Sequence, residues 1–191
     1  DTTTEEVIEI IDGLNNDKKI NGVMVQMPLP NHIDTEIVQN AVIPSKDVDG
    51  LSDFNAGLLF HNKDALYSCT PYGVMELLKR YKIQVEGRHV VVVGRSNLVG
   101  KPMSMMLTNA GATVTLCHSK TVDLSKYTKD ADILISCVGK ANFITADMVK
   151  EDSVVIDVGI TRSESGLCGD VKFDEVASKT KYITPVPGGV G

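Results

Sequence analysis

From Arg88 onward the chain repeats one pattern: a short, almost wholly apolar run, a polar or glycine-bearing turn, and a segment with helical spacing. The runs at 89–93, 112–117, 132–138 and 153–158 are too short and too β-branched to be buried helices. A strand that is apolar on both faces must be covered on both. A helix at 102–110, ending at Gly111, and two shorter helices separate the runs. Strands that alternate with helices form a parallel sheet, because each helical crossover returns the chain to the same edge. The expected architecture is α/β, with a Rossmann-like parallel sheet.

The earlier part of the chain is less regular. Thr3 followed by Glu6 fits a capping box, and Val7, Ile8, Ile11 and Leu14 then recur at helical spacing up to the polar stop Asn15 and Asn16. Residues 20–26 read as a strand running into Met27-Pro28-Leu29-Pro30, where the two prolines cannot donate to a ladder. Asp34 suits the N-cap of a second helix through Ile37, Val38 and Ala41. This order fits the end of a smaller α/β domain, with a small complete subdomain as the alternative. A loop rich in Pro, Asp and Gly follows at 44–57. Thr70 and Pro71 then suit the N-cap and first position of a linking helix with Val74, Leu77, Leu78 and Tyr81 on one face. The expected domains are 1–68 and 69–191.

Composition narrows the partners. Nineteen basic against twenty-five acidic residues leave a net charge of −6 with no basic block, which argues against nucleic acid. No apolar run approaches the roughly 18 residues that span a bilayer, and the opening Asp1-Thr2-Thr3-Thr4-Glu5-Glu6 has no basic segment typical of a secretion signal. Neither a membrane nor export is expected, and the expected location is the cytoplasm, or the mitochondrion in a eukaryote. Cys69, Cys117, Cys137 and Cys168 include no CxxC pair and are read as reduced. His32, His61, His89 and His118 show no metal-ligand spacing, so no metal is expected.

The first strand of the regular region runs into Gly94-Arg95-Ser96-Asn97-Leu98-Val99-Gly100, and Lys101-Pro102 opens a helix. A glycine turn between strand and helix is where a dinucleotide pyrophosphate binds, since backbone N–H groups and the helix dipole both face the anion. The spacing is G-x-S-x-x-x-G, which a purely structural turn would also satisfy. An NAD site usually has a carboxylate at the end of the second strand. Here that strand ends Leu116-Cys117-His118-Ser119-Lys120, and the first carboxylate is Asp123. Arg95 and Ser119, helped by Lys120, suit a 2′-phosphate instead, which predicts NADP as the cofactor, although a solvated turn at Ser119-Lys120 fits as well. Ile160, closing Asp157-Val158-Gly159-Ile160, offers an apolar wall for a nicotinamide ring, although plain strand-end packing fits as well. In the first part, Gln26 and the pair Asp47 and Asp49 are polar groups in Pro/Gly loops. They can hold a flat polar heterocycle or simply form turns.

Six segments, Val-Gln-Met-Pro-Leu-Pro (25–30), Pro-Ser-Lys-Asp-Val-Asp-Gly-Leu (44–51), Cys-Thr-Pro-Tyr-Gly (69–73), Val-Val-Gly-Arg-Ser-Asn-Leu-Val-Gly-Lys-Pro (92–102), Cys-His-Ser-Lys-Thr (117–121) and Thr-Pro-Val-Pro-Gly-Gly-Val-Gly (184–191), resemble the family of bifunctional methylenetetrahydrofolate dehydrogenase/methenyltetrahydrofolate cyclohydrolase. The resemblance implies NADP-dependent oxidation of 5,10-methylenetetrahydrofolate to 5,10-methenyltetrahydrofolate, then hydrolysis to 10-formyltetrahydrofolate, in one-carbon metabolism and purine biosynthesis. It implies cofactor contacts at Gly94, Arg95, Ser96, Ser119 and Ile160. Gln26 and Asp49 become candidate catalytic and pterin-binding residues, and Pro187, Gly188 and Gly189 a turn beside the folate. A homodimer formed through the nucleotide domain is a further implication.

The family's Tyr-x-x-x-Lys lies upstream of the strand that resembles 20–26, and no tyrosine here has lysine at the fourth following position. The family also continues beyond Gly-Gly-Val-Gly into a Pro-Met-Thr segment and a helix. The chain is expected to correspond to the central part of the enzyme, and the alternative expectation is a module that binds NADP without catalysis.

Overall fold

The computed structural model describes residues 2–163 and 166–191. Its contacts divide the chain into two units, Asp1–Cys69 and Thr70–Gly191. The first contains α1 (Thr4–Asn16), α2 (Thr35–Ala41) and α3 (Asp53–Phe60). Thr3 and Glu6 form the expected capping box, and Asp34 caps α2 by accepting from the N–H groups of Glu36 and Ile37. Ile11, Val23, Ile33, Val38 and Val42 make the small core of this unit.

Two expectations fail in this unit. Residues 20–26 do not form a strand: the segment makes one parallel bridge, Val23 to Asp47, and the Val23 N–H donates to the Lys46 carbonyl at 2.7 Å. A strand belongs to a pair rather than a sequence, and among the described residues this segment meets only that partner. The loop expected at 44–57 ends early, because Ser52 accepts from the Asn55 N–H and starts α3. A serine N-cap followed by Asp53 in the first turn is an ordinary helix-start signal, outweighed in the sequence by the Pro/Asp/Gly content before it.

The chain enters the second unit in α4 (Cys69–Arg80), which starts two residues before the Pro71 position that a Thr70 cap predicts. Val74 and Leu78 are buried as expected, but Tyr81 lies past the helix end and is mostly exposed. Then come β1 (His89–Val93), α5 (Gly100–Asn109), β2 (Thr113–Cys117), the single-turn α6 (Ser125–Thr128), β3 (Ile133–Ser136), a 3-10 turn at Ala146–Met148 and β4 (Val154–Asp157). An antiparallel hairpin of β5 (Thr161–Ser163) and β6 (Gly166–Cys168), α7 (Phe173–Ala177) and β7 (Tyr182–Ile183) complete the unit.

The five-stranded sheet has the order β2-β1-β3-β4-β7, with every pair parallel. Val91, Val93, Leu134 and Val155 pack with Cys117, Ile144, Val149, Val171 and Val176 in one fully buried core. The hairpin, α7 and β7 were not anticipated: their runs of two to five residues are too short for hydrophobic periodicity to register. Met103 and Met106 are buried in α5, and Met105 is half-buried. All four cysteines are free. No helix among the described residues is long and apolar enough to cross a membrane, and they contain no cluster of His, Cys, Asp or Glu arranged to hold a metal.

Candidate functional site

The strand order reverses direction at β1. The chain steps from β1 outward to β2, then returns to the other side of β1 for β3. In open α/β sheets, ligands bind at this switch point, beyond the carboxyl ends of the strands, where diverging loops leave a crevice. The loop after β1 carries Gly94, and the loop after β3 carries Cys137 to Gly139. Backbone bonds extend past the strands, from the Gly94 N–H to the Cys117 carbonyl and from the Cys137 N–H to the Val93 carbonyl, each 2.9 Å. The ends of β2, β1 and β3 are therefore level.

The loop needs both glycines. Gly94 has φ +121°, and a Cβ there would meet the Cys137 carbonyl oxygen at 2.5 Å and its Sγ at 2.7 Å. At Gly100 a Cβ would overlap the Gly94 carbonyl. The turn is folded so tightly on itself that the first turn of α5 sits directly against the end of β1. Ser96 accepts from the Val99 N–H at 3.2 Å, which holds the helix entry in place. In these bonds the hydroxyl only accepts, the Gly100 N–H being its second donor at 3.5 Å. The Cys137 thiol beneath the turn donates to the Val93 carbonyl at 3.2 Å, and burial pushes its pKa up to about 12. At neutral pH it is a packing thiol rather than a nucleophile.

At the end of β2, His118 to Thr121 form a closed turn. The His118 N–H donates to Thr121 Oγ1 at 2.8 Å, the Thr121 N–H to the His118 carbonyl at 2.8 Å, and the Lys120 N–H to His118 Nδ1 at 3.1 Å. The His118 ring is thus a turn-forming acceptor. Ser119 and Lys120 are exposed at the turn's tip, and Arg95 is exposed in the loop after β1. No carboxylate lies between Cys117 and Lys120. Ile160, 63% exposed, follows β4 on the far side of the switch point. The segment 184–191 does not leave the sheet at once. Thr184 donates its N–H to the Val155 carbonyl, and its hydroxyl accepts from the Asp157 N–H at 2.8 Å. Gly188 has φ +90°, and a Cβ on Gly189 would overlap the Pro185 carbonyl.

In the first unit the structure separates two aspartates that look alike in the sequence. Asp47, 5% exposed, accepts from the Leu51 and Ser52 N–H groups and from Asn55 Nδ2, so it is a structural turn residue. Asp49 is half-buried and faces the Cys69 thiol. Burial first, and then the Asp49 carboxylate, push that thiol up from its ordinary value. Gln26 is exposed and donates to its neighbour's carbonyl at Met27, 3.0 Å away. Val23 bridges Asp47 in parallel, so Gln26 and Asp49 leave the bridge in the same direction. The cleft that Asp49 shares with Val23, Val25, Val42 and Leu51 has a volume of about 10 Å³. These residues can present polar atoms to a ring but do not enclose one.

Two buried carboxylates, Asp157 and Asp170, had no place in the sequence-based site. The only signal is a glycine beside each, at Gly159 and Gly169, where a Cβ would strike the other aspartate's carboxylate. Burial pushes the Asp157 carboxyl up from its ordinary value, against the downward pull of three backbone N–H donors, Val171, Asp170 and Gly159.

Residues 68–191 match the model of the tetrahydrofolate dehydrogenase/cyclohydrolase NAD(P)-binding domain, and residues 1–49 match that of the same family's catalytic domain. The bifunctional protein FolD of Methanosphaerula palustris is 55% identical over 191 residues, which is all of this chain and 68% of that protein. The bifunctional FolD methylenetetrahydrofolate dehydrogenase/cyclohydrolase of Campylobacter jejuni superposes on the whole chain with a TM-score of 0.98 at 51% identity, and 68% of that chain is covered. The Trypanosoma brucei methylenetetrahydrofolate dehydrogenase-cyclohydrolase, solved with NADP and an inhibitor, does so with a TM-score of 0.93 at 36% identity, again with 68% covered. With a matching fold, a glycine loop at the switch point and these relatives, the chain belongs to the tetrahydrofolate dehydrogenase/cyclohydrolase family.

Proposed function

We propose that the protein catalyses NADP-dependent oxidation of 5,10-methylenetetrahydrofolate to 5,10-methenyltetrahydrofolate, and hydrolysis of that product to 10-formyltetrahydrofolate. The carrying observation is the loop after β1. Its two obligatory glycines bring backbone to the switch point, and the absence of a carboxylate from the β2 turn suits a 2′-phosphate. When bound, NADP supplies the two-electron acceptor. The remaining contributions come from the chain. Gly94 lets the pyrophosphate approach the backbone, and Ser96 donates its hydroxyl proton to it. Arg95 and Ser119, with Lys120 adjacent, hold the adenosine 2′-phosphate, and Ile160 offers an apolar face to the nicotinamide ring.

In the first unit, Gln26 and Asp49 are assigned to the pterin. An amide and a carboxylate complement the donors and acceptors on such a ring's edge, and orientation is the main requirement of the redox step. Positive charge develops across the two folate nitrogens as hydride leaves, and water then attacks the methenyl carbon; Gln26 and Asp49 serve both steps by holding the pterin in place. Pro187, Gly188 and Gly189 are assigned to the folate because two glycines there permit close backbone approach. The domain roles follow, with 1–68 for folate and 69–191 for NADP. A homodimer and a cytoplasmic location belong to the same proposal. The alternative of a module without catalysis draws no support from relatives named as bifunctional enzymes.

The test is turnover by the full-length protein, followed at the absorbances of NADPH and of the methenyl product. Folate-dependent NADPH formation, with subsequent loss of the methenyl signal, is expected. NADP binding without turnover would move the assignment to the module, and no response to either ligand would sink both.

A further inference from the structure

The mechanism above leaves unused the two buried carboxylates at the corner between β3, β4 and the strap at 169–172. Asp170 is fully buried and accepts three hydrogen bonds from one neighbourhood: its Oδ2 from the Ser136 hydroxyl at 2.9 Å and the Val138 N–H at 2.7 Å, and its Oδ1 from the Lys140 N–H at 2.8 Å. All three donors belong to the end of β3 and the loop after it. Asp157, the last residue of β4, holds the strap in turn by accepting from the N–H groups of Asp170 at 2.9 Å and Val171 at 2.8 Å. The strap is anchored from below by the Ile144 to Val171 bridge and by the Lys172 N–H on the Ile144 carbonyl. Gly159 and Gly169 complete the corner, since neither has room for a Cβ beside these carboxylates.

The loop that Asp170 holds is one wall of the switch-point crevice. It carries Gly139, with φ +69°, and Cys137, against which the Gly94 turn packs. The corner also fixes the backbone that presents Ile160. A dinucleotide with its pyrophosphate at the β1 loop and its 2′-phosphate at the β2 turn must extend its other half across β3 and β4. We propose that Asp170 is a positioning residue for the nicotinamide half of NADP, acting through the 137–140 and 158–160 loops rather than by contact. This rests on the proposed NADP function. It predicts that damage at Asp170 is felt at one end of the ligand only.

Asp170→Asn is the sharpest variant, because the side chain meets donors at both oxygens and an amide nitrogen must face at least one of them unpaired. Binding of NADP and of 2′,5′-ADP, which lacks the nicotinamide half, is to be measured by calorimetry on the full-length protein. If the unmodified protein binds neither, the function proposed above fails, and this inference with it. If it binds both, Asp170→Asn is expected to weaken NADP about tenfold and to change 2′,5′-ADP by less than about twofold, the scale of one charge-assisted hydrogen bond. The KM for NADP should rise, with kcat at saturating NADP within about threefold, as expected when binding rather than chemistry is lost. Parallel weakening of both ligands, or no change in either, overturns the inference. Should Asp170→Asn fail to fold, Ser136→Ala removes one donor and decides by the same comparison, with an expected NADP loss of about threefold and equal effects on the two ligands counting against it.

Discussion

In the second unit β1 lies between β2 and β3 and exchanges backbone bonds with both, whereas among the described residues segment 20–26 of the first unit meets one bridging partner, at Val23 and Asp47. The first unit satisfies its backbone by side chains instead. Lys46 Nζ donates to the carbonyls of Leu14, Asn15 and Asp17 at 2.7–2.8 Å, closing the C-terminal end of α1 where a cation suits the helix dipole. Asp47 takes two N–H groups and the Asn55 amide. Ladders are cooperative and tolerate a lost side chain. A unit tied by single polar residues concentrates its stability in a few of them. The second unit resembles the first only beyond the strand ends, where Asp157 and Asp170 take over from the ladder.

Four substitutions test that contrast. Gly100→Ala places a Cβ against the Gly94 backbone, with no flexible side chain to yield, and is expected to cost about 3–5 kcal/mol. Hydrogen exchange should show the loosening at the β1–α5 junction, and NADP binding should be lost. Asp47→Ala strands three donors in or beside the first unit's core. A loss of about 3 kcal/mol by urea denaturation is expected, with faster exchange confined to residues 44–60. Equal exchange throughout both units would show that the two are not separately tied. Arg95→Ala leaves stability untouched because the side chain is exposed, yet the preference for NADP over NAD should fall about tenfold, or ~1.4 kcal/mol. An unchanged preference would overturn the proposed role of Arg95 at the 2′-phosphate.

The smallest effect is at the Lys150–Asp132 pair, 2.6 Å apart and partly exposed. The Lys150 hydrogen bond, then the His89 N–H, hold the Asp132 carboxyl below its ordinary value. A depressed carboxyl contributes stability above its unfolded pKa and loses it as pH falls through the folded one. Lys150→Met should therefore cost less than about 1 kcal/mol at neutral pH, and nothing in acid once Asp132 is protonated in both states. A difference that persists in acid would mean that the lysine stem, not its charge, matters.

The regular half of the molecule was legible because its strands carry their own signature. Val90 to Val93, Ile133 to Ile135 and Val154 to Ile156 are apolar on both faces, which only a doubly covered parallel sheet requires. Caps at Thr3 and Asp34 were legible for a similar reason, since donor and acceptor lie within one turn. The strand expected at 20–26 and the missed α3 show the limit. Apolar alternation cannot say whether a partner is present, and a serine cap can be hidden by the turn residues before it. The candidate site divides in the same way. The proposal for Gly94, Arg95, Ser96 and Ser119 rests on one loop and one strand end, which neighbouring residues define. The distinction between Asp47 and Asp49 was not legible, because the two differ only in which one Leu51, Ser52 and Asn55 surround.

The α/β class, the parallel strands, the glycine turn and the missing carboxylate at the end of β2 can all be read along the chain, because each is a property of neighbouring residues. The strand order, the burial of Asp47 and the corner built by Asp157 and Asp170 arise from long-range contacts. A buried carboxylate is stable only where the fold brings donors to it, and those of Asp170 lie 30 to 34 residues away along the chain.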